Sequence, residues 1–197
     1  MLFLLRISLN IKVSREFRYK KQVVFDTTWT VREVQKMRLF LAIPLSPEMQ
    51  KALVACMHDL KKQGVEGNYV PAANLHMTLV FIGEYDDPKK VRQVLEKVPL
   101  PGFRLTLSEK GNFGNLLWAG VKGNQKLSAY VKELRAALKE EGISFENDKF
   151  VPHITLIRKA SAKKPYQVHL PKADMTVTKV SLMKSEFRNG KTVYQEL

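Results

Sequence analysis

Cysteine is the scarcest chemistry-bearing residue here: Cys56 stands alone among 197 residues, so no intramolecular disulfide can form. That scarcity fits a reducing compartment. Cys56 falls on the apolar side of a helical repeat, where a small buried hydrophobe is expected rather than a reactive thiol. Long apolar runs are also missing. A membrane-spanning helix needs about 20 apolar residues, and the opening Met1-Leu2-Phe3-Leu4-Leu5 is cut by Arg6. The start lacks the basic leader, longer apolar run and small-residue cleavage site of a signal peptide. A cytoplasmic protein with no membrane partner is therefore expected. There is no Gly-x-x-x-x-Gly-Lys loop for a nucleoside triphosphate and no Gly-x-Ser-x-Gly nucleophile turn. No histidine pair or carboxylate stands at ligand spacing, so neither metal nor cofactor is expected.

Acidic residues are in deficit, 19 against 33 Lys and Arg, which gives a net charge of +14. A surface this basic attracts anions and raises encounter rates with phosphates. It names a class of partner and no chemistry. Residues 1–36 carry eight Lys or Arg and three Asp or Glu, with Arg15, Arg18, Lys20 and Lys21 close together and no helical apolar stripe. They read as an appended arm outside the chemistry, or alternatively as a basic RNA-binding arm. The domain proper is expected over 37–197, and it keeps +9 of the charge without the arm.

From Met37 the pattern alternates between strands and helices. Ser46-Pro47-Glu48 is a helix start, followed by Met49, Leu53, Cys56 and Leu60 and closed by Gly64. Asp87-Pro88 starts a second helix, with Val91, Leu95 and Val98 on one side. Asn124 caps a third, with Leu127, Val131, Leu134 and Leu138 and an end at Gly142. Strands are predicted over 37–44, 76–83, 103–107, 116–121 and 151–157. A closing hairpin is predicted from 175–187 and 192–195, with Asn189-Gly190 as its turn. Short connections favour antiparallel pairing, hence an α+β fold.

The informative element is a repeat. His76-Met77-Thr78-Leu79 and His153-Ile154-Thr155-Leu156 share His-x-Thr-Leu, and each opens a strand. Residues i and i+2 of a strand share a face. His76 and Thr78 therefore point one way, as do His153 and Thr155, while Met77, Leu79, Ile154 and Leu156 anchor the strands behind. Two imidazoles facing one phosphate can divide acid–base work, because a pKa near 6.5 lets one be charged and the other neutral. The hydroxyls can donate to non-bridging oxygens. His58, beside Asp59, Lys61 and Lys62, and His169, in a proline-flanked segment, lack the threonine and take no role.

Together with their flanks, Arg38-Leu39-Phe40-Leu41-Ala42-Ile43-Pro44, His76-Met77-Thr78-Leu79-Val80-Phe81-Ile82-Gly83 and Pro152-His153-Ile154-Thr155-Leu156-Ile157-Arg158, these motifs resemble the two-histidine phosphoesterase superfamily. In particular they resemble the bacterial and archaeal RNA 2',3'-cyclic phosphodiesterases, also called 2'-5' RNA ligases. The resemblance runs from Met37 to about Leu197. It implies a bilobal fold, two antiparallel sheets related by a pseudo-twofold around a central cleft, with helices outside. It also implies hydrolysis of RNA-terminal 2',3'-cyclic phosphate to a 2'-phosphomonoester, with reverse 2'-5' ligation. The substrate would be RNA ends, tRNA fragments among them, and the protein a monomer. His76 would be the proton donor and His153 the acceptor. Phe81 and Arg158 would clamp the terminal base. Both lie five residues beyond their histidine, an odd offset that a regular strand would turn to the core, so a bulge is expected in each. A phosphodiesterase for another cyclic phosphate nucleotide, such as an ADP-ribose derivative, and a non-catalytic RNA-binding module are the alternatives.

Overall fold

The computed structural model describes residues 23–25, 31–33, 36–122 and 124–197. The chain divides between Gln35 and Lys36. In the first unit, β1 (Val23–Phe25) and β2 (Val31–Glu33) pair antiparallel. The rest of the expected arm up to Gln35 lies outside the described residues.

The second unit runs β3 (Met37–Pro44), α1 (Pro47–Lys62), β4 (Glu66–Tyr69), a 3-10 turn (Ala72–Asn74), β5 (His76–Tyr85), α2 (Pro88–Lys97), β6 (Arg104–Phe113) and β7 (Leu116–Val121). It continues through α3 (Gln125–Glu140), β8 (His153–Ser161), β9 (Asp174–Thr176), β10 (Ser181–Arg188) and β11 (Lys191–Glu196). Each helix begins where its cap predicts. Ser46 Oγ accepts from the Met49 N–H at 3.2 Å, Asp87 Oδ1 from that of Lys90 at 3.1 Å, and Asn124 Oδ1 from that of Leu127 at 3.2 Å. Each cap satisfies an N–H that the first helical turn leaves without a partner. The expected stripes of α1 and α3 are buried, with Tyr130 added to that of α3; in α2, Val91 and Val98 are buried, Val94 joins them and Leu95 is half-buried. Among the described residues no helix is long and apolar enough to cross a membrane.

The strands form one curled antiparallel sheet in the order β11-β10-β3-β5-β8-β7-β6-β9, with β4 added on β8. The resemblance implied two sheets. Instead the two halves are hydrogen-bonded into one path, and the link between them is a single bridge, Met77 to Ile154. Beyond it β5 leaves β8, and β4 takes over that edge of β8 through Tyr69–Ile157, Asn68–Arg158 and Glu66–Ser161. The core lies on one face, where Met77, Leu79, Ile154 and Leu156 join the helix stripes in a single cluster. α3 packs on β5, and α1 on β8 and β9. Each half is thus covered by a helix that follows a strand of the other half.

Both central strands carry the expected irregularity. On β5, Leu41 faces Val80 and Ala42 faces Thr78, so Leu79 is the extra residue. On β8, Leu117 faces Ile157 and Trp118 faces Thr155, so Leu156 is extra. Leu79 with Val80, and Leu156 with Ile157, are consecutive buried residues.

The hairpin of β10 and β11 turns at Asn189-Gly190, both with positive φ (50° and 77°), as a tight primed turn requires. The segment predicted as one strand over 175–187 is two. Its first part, β9, pairs with β6 at the far edge of the sheet, and β6 is longer than expected.

The polar strand β4 depends on Gly67, whose φ is +143°. A Cβ there would lie 2.8 Å from Ile157 Cγ2 and 2.9 Å from the Arg158 and Lys159 carbonyl oxygens. Gly67→Ala should therefore cost about 1–3 kcal/mol in a urea unfolding curve. A loss under about 0.5 kcal/mol would show that β4 does not depend on that close approach.

Candidate active site

The Met77–Ile154 bridge fixes where the two motifs meet. Its flanking residues, His76 and Thr78 on β5 and His153 and Thr155 on β8, lie on the face opposite the core. All four are half-buried. Past the bulges the alternation resumes with its phase shifted by one. Phe81 returns to the histidine face half-buried, and Arg158 does so exposed. The six side chains singled out from the sequence thus share one side of the sheet.

Backbone contacts orient both imidazoles in the same way. His76 Nδ1–H donates to the Asn74 carbonyl at 2.7 Å, and His153 Nδ1–H donates to the Val151 carbonyl at 2.8 Å. A carbonyl can only accept, so Nδ1 must carry the hydrogen in each ring and Nε2 is left for chemistry. In the neutral ring, Thr78 Oγ1–H donates to His76 Nε2 at 3.1 Å.

Aromatic neighbours complete each setting. Around His76 stand Phe40 at 5.0 Å and Tyr194 at 5.0 Å, the latter edge-on at 86°. Around His153 stand Phe113 at 5.1 Å, edge-on at 88°, and Trp118 at 6.1 Å. Arg38 lies over the Phe81 ring at 4.9 Å, and Phe81 stacks on Phe40 at 6.5 Å. Of these neighbours only Phe81 was singled out from the motifs. Phe113 lies beyond the strand predicted over 103–107, and only the pairing partners show which histidine each of these rings meets. A cavity of about 70 Å³ opens beside His76 between Pro44, Gln50, Met183 and Tyr194. Small-molecule pockets span about 300–1,000 Å³, so this cavity alone is too small to enclose one.

Burial is the main influence that holds the His76 pKa below its ordinary value. The hydrogen bond to Asn74 opposes it, and the positive charges of Arg158 and His153 add to the lowering. Those two charges act on His76 from the other half of the sheet. Elsewhere, burial pushes the Cys56 thiol up to about 11, Asp59 adds to this and Lys110 opposes it, so no reactive thiolate forms there. His58 is exposed, and His169 Nδ1 lies 3.4 Å from an Asp59 carboxylate oxygen. Among the described residues no three His, Cys, Asp or Glu side chains converge as a metal-binding group would.

A model of the 2'-5' RNA ligase superfamily matches residues 45–188. The RNA 2',3'-cyclic phosphodiesterase of Thermotoga maritima is 35% identical over 132 residues, 62% of this chain and 70% of that protein. That of Escherichia coli is 32% identical over 171 residues, 81% of this chain and 93% of its own length. Among solved structures, Escherichia coli LigT in its apo form superposes with a TM-score of 0.68 at 31% identity, covering 83% of this chain and 95% of that one. LigT complexed with 3'-AMP superposes at 0.66 with 30% identity, covering 83% and 95%.

The electrostatics can be tested directly. In an NMR titration the His76 ring should titrate below the usual histidine value of about 6.5. Arg158→Ala should move it upward by removing a nearby positive charge. A wild-type His76 titrating at or above the ordinary value would contradict the buried setting described here.

Proposed function

The chain belongs to the 2'-5' RNA ligase superfamily, and from that premise we propose that it opens RNA 2',3'-cyclic phosphates to 2'-phosphomonoesters with His76 and His153 as its acid–base pair. The observation that carries this reading is the matched pair of imidazoles. Each is tied at Nδ1 to the carbonyl two residues upstream, on the open face of two strands joined by one bridge.

His153 Nε2 accepts the proton of a water molecule as its oxygen attacks phosphorus. The bond from phosphorus to the 3'-oxygen breaks, and His76 Nε2–H donates to that oxygen. The phosphate remains on the 2'-oxygen. Thr78 and Thr155 donate to the non-bridging oxygens, where negative charge builds. Thr78 already lies within reach of His76 Nε2, so its hydroxyl turns to phosphate once that nitrogen carries a proton. Phe81 and Arg158 hold the terminal base, with Arg38 covering part of the Phe81 ring. Stacking of this kind tolerates any base.

Both histidines come from one chain, which supports a monomer as the working unit, and residues 37–197 contain every group named. We read the two halves as related by a pseudo-twofold, supported by the shared His-x-Thr-Leu motif, the bulge at the same offset and the identical Nδ1 contact. We read the chemistry as metal-independent, because two imidazoles supply the proton transfers and two threonine hydroxyls the contacts to phosphate that a metal would otherwise provide. The basic surface supports RNA, tRNA fragments among it, as the substrate.

The lowered pKa of His76 bears on its role as donor. The free protein favours the neutral ring, and the anionic cyclic phosphate offsets Arg158 and restores the proton. The basic limb of the pH profile reports the donor's loss of that proton. For kcat/KM, which reports the free enzyme, this limb should lie below about 6.5, and for kcat it should lie at higher pH. If the two limbs coincide, or kcat falls first, His76 is not the donor. His76→Ala and His153→Ala should each lower kcat by about 10²–10⁴-fold. Near-wild-type turnover of a 2',3'-cyclic nucleotide by either variant would remove that residue from the chemistry. Activity should persist in EDTA, and its loss would replace this account with a metal-assisted one.

A further inference from the structure

Phe113 is a large aromatic side chain that is 45% exposed, yet its ring stands 5.1 Å from that of His153. It closes β6, and the strand register puts it on the same face as Trp118 and Thr155. Its setting is rigid. The Asn115 carbonyl accepts from the Ala160 N–H at 2.7 Å, which ties the hairpin tip to β8, and Asn112 Nδ2 donates across the turn to the Gly114 carbonyl at 2.9 Å. Beneath Phe113, at 5.3 Å, lies Trp118, whose ring covers Gly111 and Gly120. A Cβ on Gly120 would come within 2.9 Å of the indole, so these glycines let the ring lie flat on the sheet. The Trp118 Nε1–H is buried with no acceptor among the described residues. Together Phe113 and Trp118 form a fixed aromatic step beside His153, apart from Phe81, which stacks on Phe40 near His76.

We propose that this step is the stacking platform for the nucleotide that brings a 5'-hydroxyl to His153, a subsite for the strand that attacks the cyclic phosphate. The inference rests on the reading of His153 as proton acceptor. Whatever attacks phosphorus in line must arrive on the His153 side. Water needs no platform there. A 5'-terminal nucleotide does, because its 5'-oxygen must be held within hydrogen-bond reach of Nε2 while its base finds a surface. In a nucleoside one sugar ring separates the 5'-oxygen from the base, and an aromatic face one ring away from the imidazole meets that need. The step then balances as in hydrolysis. The 5'-oxygen bonds to phosphorus and gives its proton to His153, the bond to the 3'-oxygen breaks, and His76 protonates that oxygen. The product is a 2'-5' phosphodiester and a free 3'-hydroxyl. Stacking on Phe113 favours this path over hydrolysis by raising the local concentration of the alcohol.

The test compares two ligands. Calorimetry measures binding of a dinucleotide with a free 5'-hydroxyl and no terminal phosphate, to wild type, Phe113→Ala and Phe113→Trp. Loss of one stacked base corresponds to about a 5- to 150-fold weaker dissociation constant. That loss is expected for Phe113→Ala, while Phe113→Trp keeps the affinity. The KM for a 2',3'-cyclic mononucleotide, which has no second base, should shift by a much smaller factor. Three results overturn the proposal: no dinucleotide binding by wild type, equal binding by wild type and Phe113→Ala, or a KM shift as large as the binding loss. The Phe113 ring is exposed and lies outside the core cluster, so Phe113→Ala removes no core packing, and Phe113→Trp, which retains a stacking face, checks the point. Failure of the underlying acid–base reading would show separately, as hydrolysis retained by His153→Ala.

Discussion

One backbone pairing, Met77 with Ile154, joins the two halves of the sheet, and the site follows from how short that pairing is. A bridge in an antiparallel pair places its flanking residues on one face, so the two His-x-Thr segments are aligned as soon as the central residues pair. If β5 and β8 continued side by side, the strands would stay about 4.8 Å apart and their side chains would fill the space between them. The strands separate instead, and β4 takes the vacated edge of β8. β4 pairs with the backbone of β8 along the edge that β5 leaves. A single contact thus fixes the relative position of two distant chain segments and the face that their His-x-Thr residues share.

The same economy governs the histidines. Each imidazole is oriented by the segment that leads into its own strand, through the carbonyl two residues before it, and neither needs a buried carboxylate. A carboxylate partner would raise the pKa of a ring, and a neutral carbonyl does so much less. Burial and the nearby positive charges can therefore keep His76 on the low side. A bound anion beside the ring would oppose that lowering, because negative charge favours the protonated imidazole.

The parts of this arrangement that could be read from the sequence are those written in local pattern. Ser46, Asp87 and Asn124 announce three helices by their own capping chemistry, and Asn189-Gly190 announces a primed turn. The repeat of histidine and threonine two apart shows a shared face in any strand. The odd offset of Phe81 and Arg158 even required the bulges that β5 and β8 carry. Partner identity was not legible. β4 is Glu-Gly-Asn-Tyr, with no alternation to mark it, and it is a strand only because Gly67 lets it approach β8. β9 reads as the start of β10 because nothing local says that three residues will cross to the far edge. Two sheets or one depends on a single bridge. Phe40, Tyr194, Phe113 and Trp118 gain their significance from strands paired across long sequence separations.

The bulges show why the two central strands can hold both an anchor and a reactive face. A regular strand of this length would alternate throughout and turn Phe81 and Arg158 into the core, where an unpaired guanidinium is costly. The extra residue shifts the phase after the threonine, so His76, Thr78 and Phe81, like His153, Thr155 and Arg158, all lie on the face opposite the core. The shift also directs two consecutive aliphatic side chains into the core, Leu79 with Val80 and Leu156 with Ile157, all at 2% exposure or less. Each buried aliphatic side chain contributes about 1.5–3 kcal/mol, more than the net worth of about 0.5–1.5 kcal/mol of a ladder hydrogen bond disturbed at a bulge. The irregularity that aims the chemistry therefore also fastens the strand that carries it. Replacing either aliphatic pair would affect placement of Phe81 or Arg158 before it affected the imidazoles, which lie on the other side of the threonine and closer to the bridge.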